Sequence, residues 1–451
     1  MPHSTTQRER IGVGFVLLLS ALTAIGPLTI DLYLAAFPQI TTDLRTTETA
    51  VQLTMTATLA GLAVGQLIVG SLADAFGRRR PLLVALSVYV VASLAIIWVQ
   101  SVEMLTALRA VQGLTGAAGM VLSMAIVRDS FSGMQIGKVI ARLMLVVGVA
   151  PILAPTLGAQ ILQVGSWRTM FAVLAGFGVL LLILAALLLK ETLPQELRRT
   201  GGTRAALSSY RSLLTDWSFI GVVLIGASYM GAVFAYVSSS TFVFQQGFGL
   251  TASEFGYIFG AGAISVTIGS QVNGALVGRV RPERIASVAI VAGWVLALAL
   301  LLIALTVGST SAGLWPLLAA LIPTMCTVGF VMPAIPAIVL EHNGHRAGSA
   351  AALNGALGFG LGAAVAPLSG LLGGTAASMA GVMFAVMTIS LLLLLNVRRG
   401  WTLALTDTEE PMHRVPPAPV HGPVHAPIHK TGHPSTGRLG EGKPAAAPAE
   451  A

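Results

Sequence analysis

Twelve apolar runs, each about as long as a bilayer's hydrocarbon core is thick, follow one another along this chain. A helix rises about 1.5 Å per residue, so roughly twenty apolar residues cross the membrane. The runs read as Ile11–Phe37, Val51–Ala73, Pro81–Val99, Met104–Val127, Leu143–Leu162, Met170–Leu189, Phe219–Phe242, Ser253–Val277, Ile285–Thr306, Leu314–Leu340, Ala347–Leu372 and Ala376–Val397. With 55% hydrophobic and only 10% charged residues in 451, the chain has more apolar surface than a water-soluble core can bury. The expected fold is therefore all-α and integral to a membrane.

Charge distribution sets the expected orientation. Of the 26 Lys and Arg, all but Arg45, Arg168 and Arg109 fall on the side shared by both termini, and Arg109 lies inside a span. Basic residues accumulate on cytoplasmic loops, so both termini are expected in the cytoplasm. The net charge of +8 follows from this asymmetry. No folded basic face for nucleic acid is apparent. The first apolar run continues through Phe37, well past the length of a cleaved signal, so it reads as a retained helix. Cys326 is the one cysteine, which leaves no intrachain disulfide and no cysteine-rich metal site.

The longest inner loop separates six runs from six. The expected organisation is an arm at 1–10, a six-helix half at 11–189, a central loop at 190–216, a second half at 217–398 and a disordered tail at 399–451. The halves echo one another: "GSLAD" at Gly70–Asp74 with "GALVG" at Gly274–Gly278, and "APTLG" at Ala154–Gly158 with "APLSG" at Ala366–Gly370. Two pseudo-symmetric halves around a central cavity are an architecture of rocking transporters. In the tail, His421, His425, His429 and His433 recur every four residues, but the interleaved prolines forbid the helix that would align them. Weak metal capture and disordered filler are its two readings.

The stretch "GSLADAFGRRRP" ends the second span. Gly70 suits a close helix neighbour, Gly77 a tight turn, and Asp74 a helix start nearby. Arg78 to Arg80 fall in the headgroup layer. Here the chain resembles the major facilitator superfamily, whose signature after the second helix Gly70, Leu72, Ala73, Asp74, Gly77, Arg78 and Arg79 fit. The resemblance implies an inner gate formed by Asp74 and Arg78, with Asp74 facing the start of the eleventh helix. In the second-half echo, Gly278 stands where the acid would be. Arg128 and Asp129, ending the fourth span, join that gate or anchor headgroups.

Further stretches narrow the resemblance. "RAVQG" at Arg109–Gly113 is similar to the superfamily pattern in the fourth helix. "GVAPILAPTLG" at Gly148–Gly158 resembles the motif of drug-extruding antiporters, with Ala150 where glycine is usual. "PLTIDLYL", "VRDSF", "ETLP" and "AGSAAALNG" are similar to the bicyclomycin- and chloramphenicol-resistance branch, which often has a proline where this chain has Thr241. The likeness covers Pro27 to Arg398. It implies a drug:proton antiporter in a bacterial plasma membrane, driven by a proton gradient with no bound cofactor or metal, acting as a monomer on small drug-like substrates. In the fifth helix, Gly148, Pro151, Pro155 and Gly158 read either as a seal against proton leak or as an ordinary kinked, closely packed helix.

Depth points to a proton site. Asp31 lies about twenty residues into a helix that starts inside, and Arg109 about five into one that starts outside, so both sit in the outer half. An ionisable group in a span must pair or face a wet cavity. Asp31 is the expected proton carrier, tuned by Arg109, with Gln112 one turn on. The alternative is a static ion pair. For cargo, Tyr229, Met230, Phe234 and Tyr236 on the seventh span, with Tyr33 near Asp31, suit flat apolar molecules, although such stripes mostly pack against neighbouring helices. A nutrient importer is the rival within transport. A non-transporting receptor would need no titratable pair at matched depth. A membrane enzyme lacks paired acids or "HExxH", and a primary pump lacks a "GxxxxGK[ST]" loop.

Overall fold

The computed structural model describes residues 13–198, 202–307, 311–343 and 346–406. Twelve helices in it are long and apolar enough to span a membrane. We number them α1 (Gly14–Asp43), α2 (Glu48–Phe76), α3 (Arg79–Ile96), α4 (Val102–Ser130), α5 (Gln135–Val164), α6 (Trp167–Leu188), α7 (Trp217–Gly247), α8 (Ala252–Leu276), α9 (Pro282–Thr306), α10 (Leu314–Glu341), α11 (Ala347–Leu371) and α12 (Ala376–Val397). Short connections alternate their direction. The α2–α3, α4–α5, α6–α7, α8–α9 and α10–α11 connections share one end, called the basic end here for its arginines, and the remaining six share the far end.

Local chemistry sets several starts. Thr47, Ser101 and Asp216 accept hydrogen bonds from the free amides opening α2, α4 and α7, and Thr251 with Glu254 forms a reciprocal cap on α8. Such polar starts let α2 and α4 begin earlier than the apolar runs suggest, and α5 also begins early, after Gly133 and without a side-chain cap. Lys138 and Arg142 therefore lie within the first turns of α5 rather than in a loop. The expected central loop contains a helix, Gly202–Leu214. The last helix continues to Thr406, so residues 399–406, expected in the disordered tail, are helical: "WTLAL" is apolar and the next proline is Pro411. The N-terminal arm and the tail beyond 406 lie outside the described residues. The compact unit runs to Thr402.

Glycine against backbone is the recurrent packing device. A Cβ at Gly61 or Gly65 would strike the Ala110 or Leu114 carbonyl, and one at Gly113 the Thr58 carbonyl, so α2 and α4 touch backbone to backbone. The same reciprocal contact joins α8 to α10, where Gly269 faces the Cys326 carbonyl and Gly329 the Val266 carbonyl. The second and fourth helices of each six thus pair alike. After α2 and α8 the chain turns through glycines with φ of 90° at Gly77 and 85° at Gly278. Gly278 therefore matches Gly77 in role, rather than replacing the acid at Asp74.

Between α1–α6 and α7–α12, the principal contacts are α2 with α11 and α5 with α8. Four direct side-chain hydrogen bonds lie toward the far end: Thr241 to the Leu34 carbonyl, Gln245 to the Ala35 carbonyl, Gln163 to Ser253, and Thr156 to the Gly256 carbonyl. At the basic end the Gly202–Leu214 helix is interposed. Tyr210 donates to the Leu67 carbonyl of α2, and Arg346, before α11, donates to Ser212.

Candidate functional site: a buried acid at a broken helix

α1 does not cross in one piece. Its first segment ends at Asp31, a 3₁₀ turn occupies Leu34–Ala36, and a second segment runs Phe37–Asp43. Pro27 removes one backbone donor from the turn leading into the break. Freed carbonyls at membrane depth need donors. Thr241 Oγ1 supplies Leu34 (3.0 Å) and Gln245 Nε2 supplies Ala35 (3.1 Å), both from the end of α7. There α7 closes in a π-helical turn, Phe242–Gly247. Thr241, which departs from the resembled branch, thus takes a specific bond. Gly158 of α5 lies against the Leu32 carbonyl, where a Cβ would collide. Of the fifth-helix residues, Gly158 makes the tight contact. Gly148 does not: a Cβ there would sit 3.6 Å from Thr267, an ordinary distance. Pro151 and Pro155 lie within a continuous helix, with Pro155 buried.

Asp31, at the lip of the break, is 6% exposed and has no hydrogen bond or ion pair among the described residues. It lies within electrostatic range of Tyr236 on α7. The Tyr236 hydroxyl is also buried without a partner, while its ring stacks on Phe259 of α8 with centroids 5.4 Å apart. Two unpartnered polar groups from opposite sixes thus share one neighbourhood.

Arg109 is fully buried but forms no ion pair with Asp31. Its Nη1 donates to Gln112 Oε1 (2.5 Å) and its Nη2 to the Thr29 carbonyl (2.9 Å). Its guanidinium lies 4.1 Å from the centroid of the Tyr33 ring. Gln112 passes the chain on by donating to Ser93 (2.8 Å), and Tyr33 reaches Thr54 (3.1 Å). Arg109 therefore ties α1, α3 and α4 together, two residues from the acid along α1. Tyr33 is the platform beneath it and is fully buried, not a cavity wall.

The seventh-helix stripe divides among neighbours. Tyr229 donates to the Ala289 carbonyl of α9 (3.2 Å). Met230 borders Gly358, and Phe234 meets Phe359 at 6.0 Å, both on α11. Tyr236 turns to α8. Tyr236 is the member of the stripe that lies within electrostatic range of the acid.

At the basic end, Arg78 donates to Asp74 (2.6 Å) and Asp129 (2.9 Å), and Thr192 also reaches Asp129. Arg128 is exposed and takes part in none of these bonds. Asp74 makes no hydrogen bond to the start of α11 among the described residues. Tyr210 of the interposed helix lies within its electrostatic range instead. Gly70 is not a close approach, since its missing Cβ would lie 3.8 Å from Val121. Gly77 is required twice, by its positive φ and by the Glu191 carboxylate beside it. Glu191, from "ETLP", is not among the site residues expected from the sequence. It accepts the backbone amides of Arg78 and Arg79 at the start of α3 (2.7 and 3.2 Å) and that of Leu193. Burial opposes its charge, but these amides and Arg198 outweigh that and hold its carboxyl below the usual Glu range. An acid that meets two amides 112 and 113 residues away leaves no local pattern.

A twelve-helix bundle with a broken first helix and an acid at the break invites comparison with known transporters. By fold, the chain is similar to a D-xylose–proton symporter, at TM-score 0.65 and 14% identity, covering 85% of this chain and 96% of that one. By sequence, it is 39% identical over 391 residues to an uncharacterised MFS-type transporter, YdgK, of Bacillus subtilis, covering 86% of this chain and 96% of the relative. It is 31% identical over 379 residues to a bicyclomycin resistance protein homolog of Haemophilus influenzae, covering 84% and 94%. The pattern of the Major Facilitator Superfamily matches residues 19–367. With bundle, signature stretches and relatives in agreement, the chain belongs to the major facilitator superfamily: it is a multi-pass membrane transporter and not an enzyme.

Proposed function

We propose that this transporter is a proton-coupled exporter of small amphiphilic compounds, antibiotics among them, working by alternating access in a bacterial plasma membrane. The carrying observation is Asp31, a carboxyl inside the membrane, at a helix break, with no cation partner. Such a group must be protonated, paired or wet. As access alternates, its surroundings change, and it loads and releases a proton. In this reading Arg109, through Gln112 and the Thr29 carbonyl, fixes the segment that carries the acid. Tyr236 brings α7 to the same place. With the basic end cytoplasmic, the far-end bonds describe a conformer closed to the outside, and Asp74, Arg78 and Asp129 are half of a gate that engages in the opposite one. The relative named for bicyclomycin resistance supports export over nutrient import and makes bicyclomycin the first compound to test.

The experiment is drug-induced proton release from energised inverted vesicles. Asp31→Asn is expected to abolish proton-driven efflux while melting at the wild-type temperature. Wild-type efflux from that variant overturns the assignment. Uptake of cargo by right-side-out vesicles under an inward proton gradient would favour the importer.

A further inference from the structure

On the membrane-facing side of α7–α12, at the basic end, the last turn of α8, the loop after it, α9 and α10 enclose a groove of about 310 Å³. Leu276, Val280, Ile285, Val288, Ala292 and Phe330 form its walls, and Arg284 stands at its mouth. The loop shapes one side. Gly278 turns the chain at φ 85°, and the amides of Arg279 and Val280 both return to the Leu276 carbonyl at 3.0 Å. That turn folds Val280 into the groove and leaves Arg279 exposed. Small side chains at Ala289 and Ala292 supply the depth.

Charge and hydrophobicity are divided along this groove. Arg284 lines the groove, Arg279 and Arg281 flank Val280 on the loop that shapes it, and the neighbouring acid Glu283 lies 3.7 Å from Arg281. Among the described residues, Arg279 and Arg284 have no side-chain hydrogen bond or ion pair. Below the rim the wall is aliphatic. From Arg284 to Ala292 the groove follows α9 for eight residues, about 12 Å, most of one leaflet's hydrocarbon depth. An occupant that satisfies both parts has an anionic head and an extended apolar tail.

We propose that the groove binds an anionic phospholipid of the leaflet at the basic end. Arg284 and Arg279 hold its phosphate, and one acyl chain lies along Val288 and Ala292. Basic pockets between membrane helices recognise acidic headgroups in this way, and each arginine near the surface adds attraction that zwitterionic lipids do not receive. The site is separate from Asp31 and does not rest on the efflux reading. Its inner wall does touch the bundle: Thr327 lines the groove, and the Ala289 carbonyl beside it accepts the Tyr229 hydroxyl of α7.

The test is native mass spectrometry of the full chain released from vesicles of equal phosphatidylglycerol and phosphatidylcholine. Wild type is expected to retain one phosphatidylglycerol in preference to phosphatidylcholine. Arg284→Gln should weaken that preference about fivefold, the effect of one surface arginine. Ala292→Phe, which fills the groove, should reduce retention of both lipids. Arg80→Gln, an exposed arginine at the basic end of α1–α6, should leave retention unchanged. Equal retention of the two lipids by wild type overturns the proposal, as does unchanged preference in Arg284→Gln or an equal loss in Arg80→Gln. Displacement of the retained lipid by transported drug would make the groove a cargo entrance and would equally overturn it. Melting temperatures of all three variants separate lost lipid from lost fold.

Discussion

Gln112 shows what one residue does beyond what its motif suggests. It accepts a hydrogen bond from Arg109 and donates one to Ser93, so a buried cation is stabilised without a carboxylate. Lysine lacks the planar fork that reaches both Gln112 and the Thr29 carbonyl. Arg109→Lys is therefore expected to lower the melting temperature and cut transport at least tenfold despite keeping the charge. Wild-type melting would refute the network's role. Glu191 yields a pH prediction. Its carboxyl is held below the usual Glu range in the folded protein, so its contribution is present above the unfolded-state value. It is lost as pH falls through the lower folded value. Glu191→Gln should therefore melt below wild type at neutral pH, and the gap should close on acidification below the usual Glu range, which thermal scans across pH would reveal. Asp31, Arg109 and Gly77 were legible as important because charge in oil and glycine beside a turn are local anomalies. Their partners were not legible: Arg109 bonds a backbone carbonyl, and any residue type can present one.

At the scale of elements, backbone contact at glycine distinguishes rigid pairs from adjustable ones. Gly113 has no space for a methyl group beside the Thr58 carbonyl, whereas Gly70 has. Gly113→Ala should destabilise by about 1–3 kcal/mol through overpacking. Gly70→Ala should stay within about 0.5 kcal/mol, the level of a site away from such contacts. Thermal melting in detergent compares them, and the signature stretches, which contain both glycines, do not rank them. The length of the apolar runs revealed all twelve helices, because hydrocarbon demands length. It did not reveal the break in α1 or the helix at Gly202–Leu214. The first is decided by donors arriving from α7, and the second by an amphipathic fit across α2 and α11.

For the whole molecule, α2 with α11 and α5 with α8 are the principal contacts between the two sixes, and under the proposed alternating access they are the surfaces that part. Gln52 of α2 lies against Gly370 at the far end of α11, and both polar atoms of its amide are buried without partners. Unmet amide groups disfavour a closed contact and are relieved when it opens to water. Cysteines at Gln52 and Gly370, in a Cys326→Ser background, are expected to cross-link. The link should arrest transport, and reductant should restore it. Undiminished transport in the linked protein would show that this interface does not part.

The break in α1 has a mechanical consequence for that parting. Thr241 and Gln245 occupy two oxygens of the 3₁₀ turn much as water would. In the proposed cycle, withdrawal of α7 lets solvent follow it to the same acceptors, and neither oxygen is left bare. Separation there becomes an exchange of donors with little net change in bonding. A closure made this way resists leakage of solutes yet needs only a small bias, such as one titrating side chain nearby, to reverse.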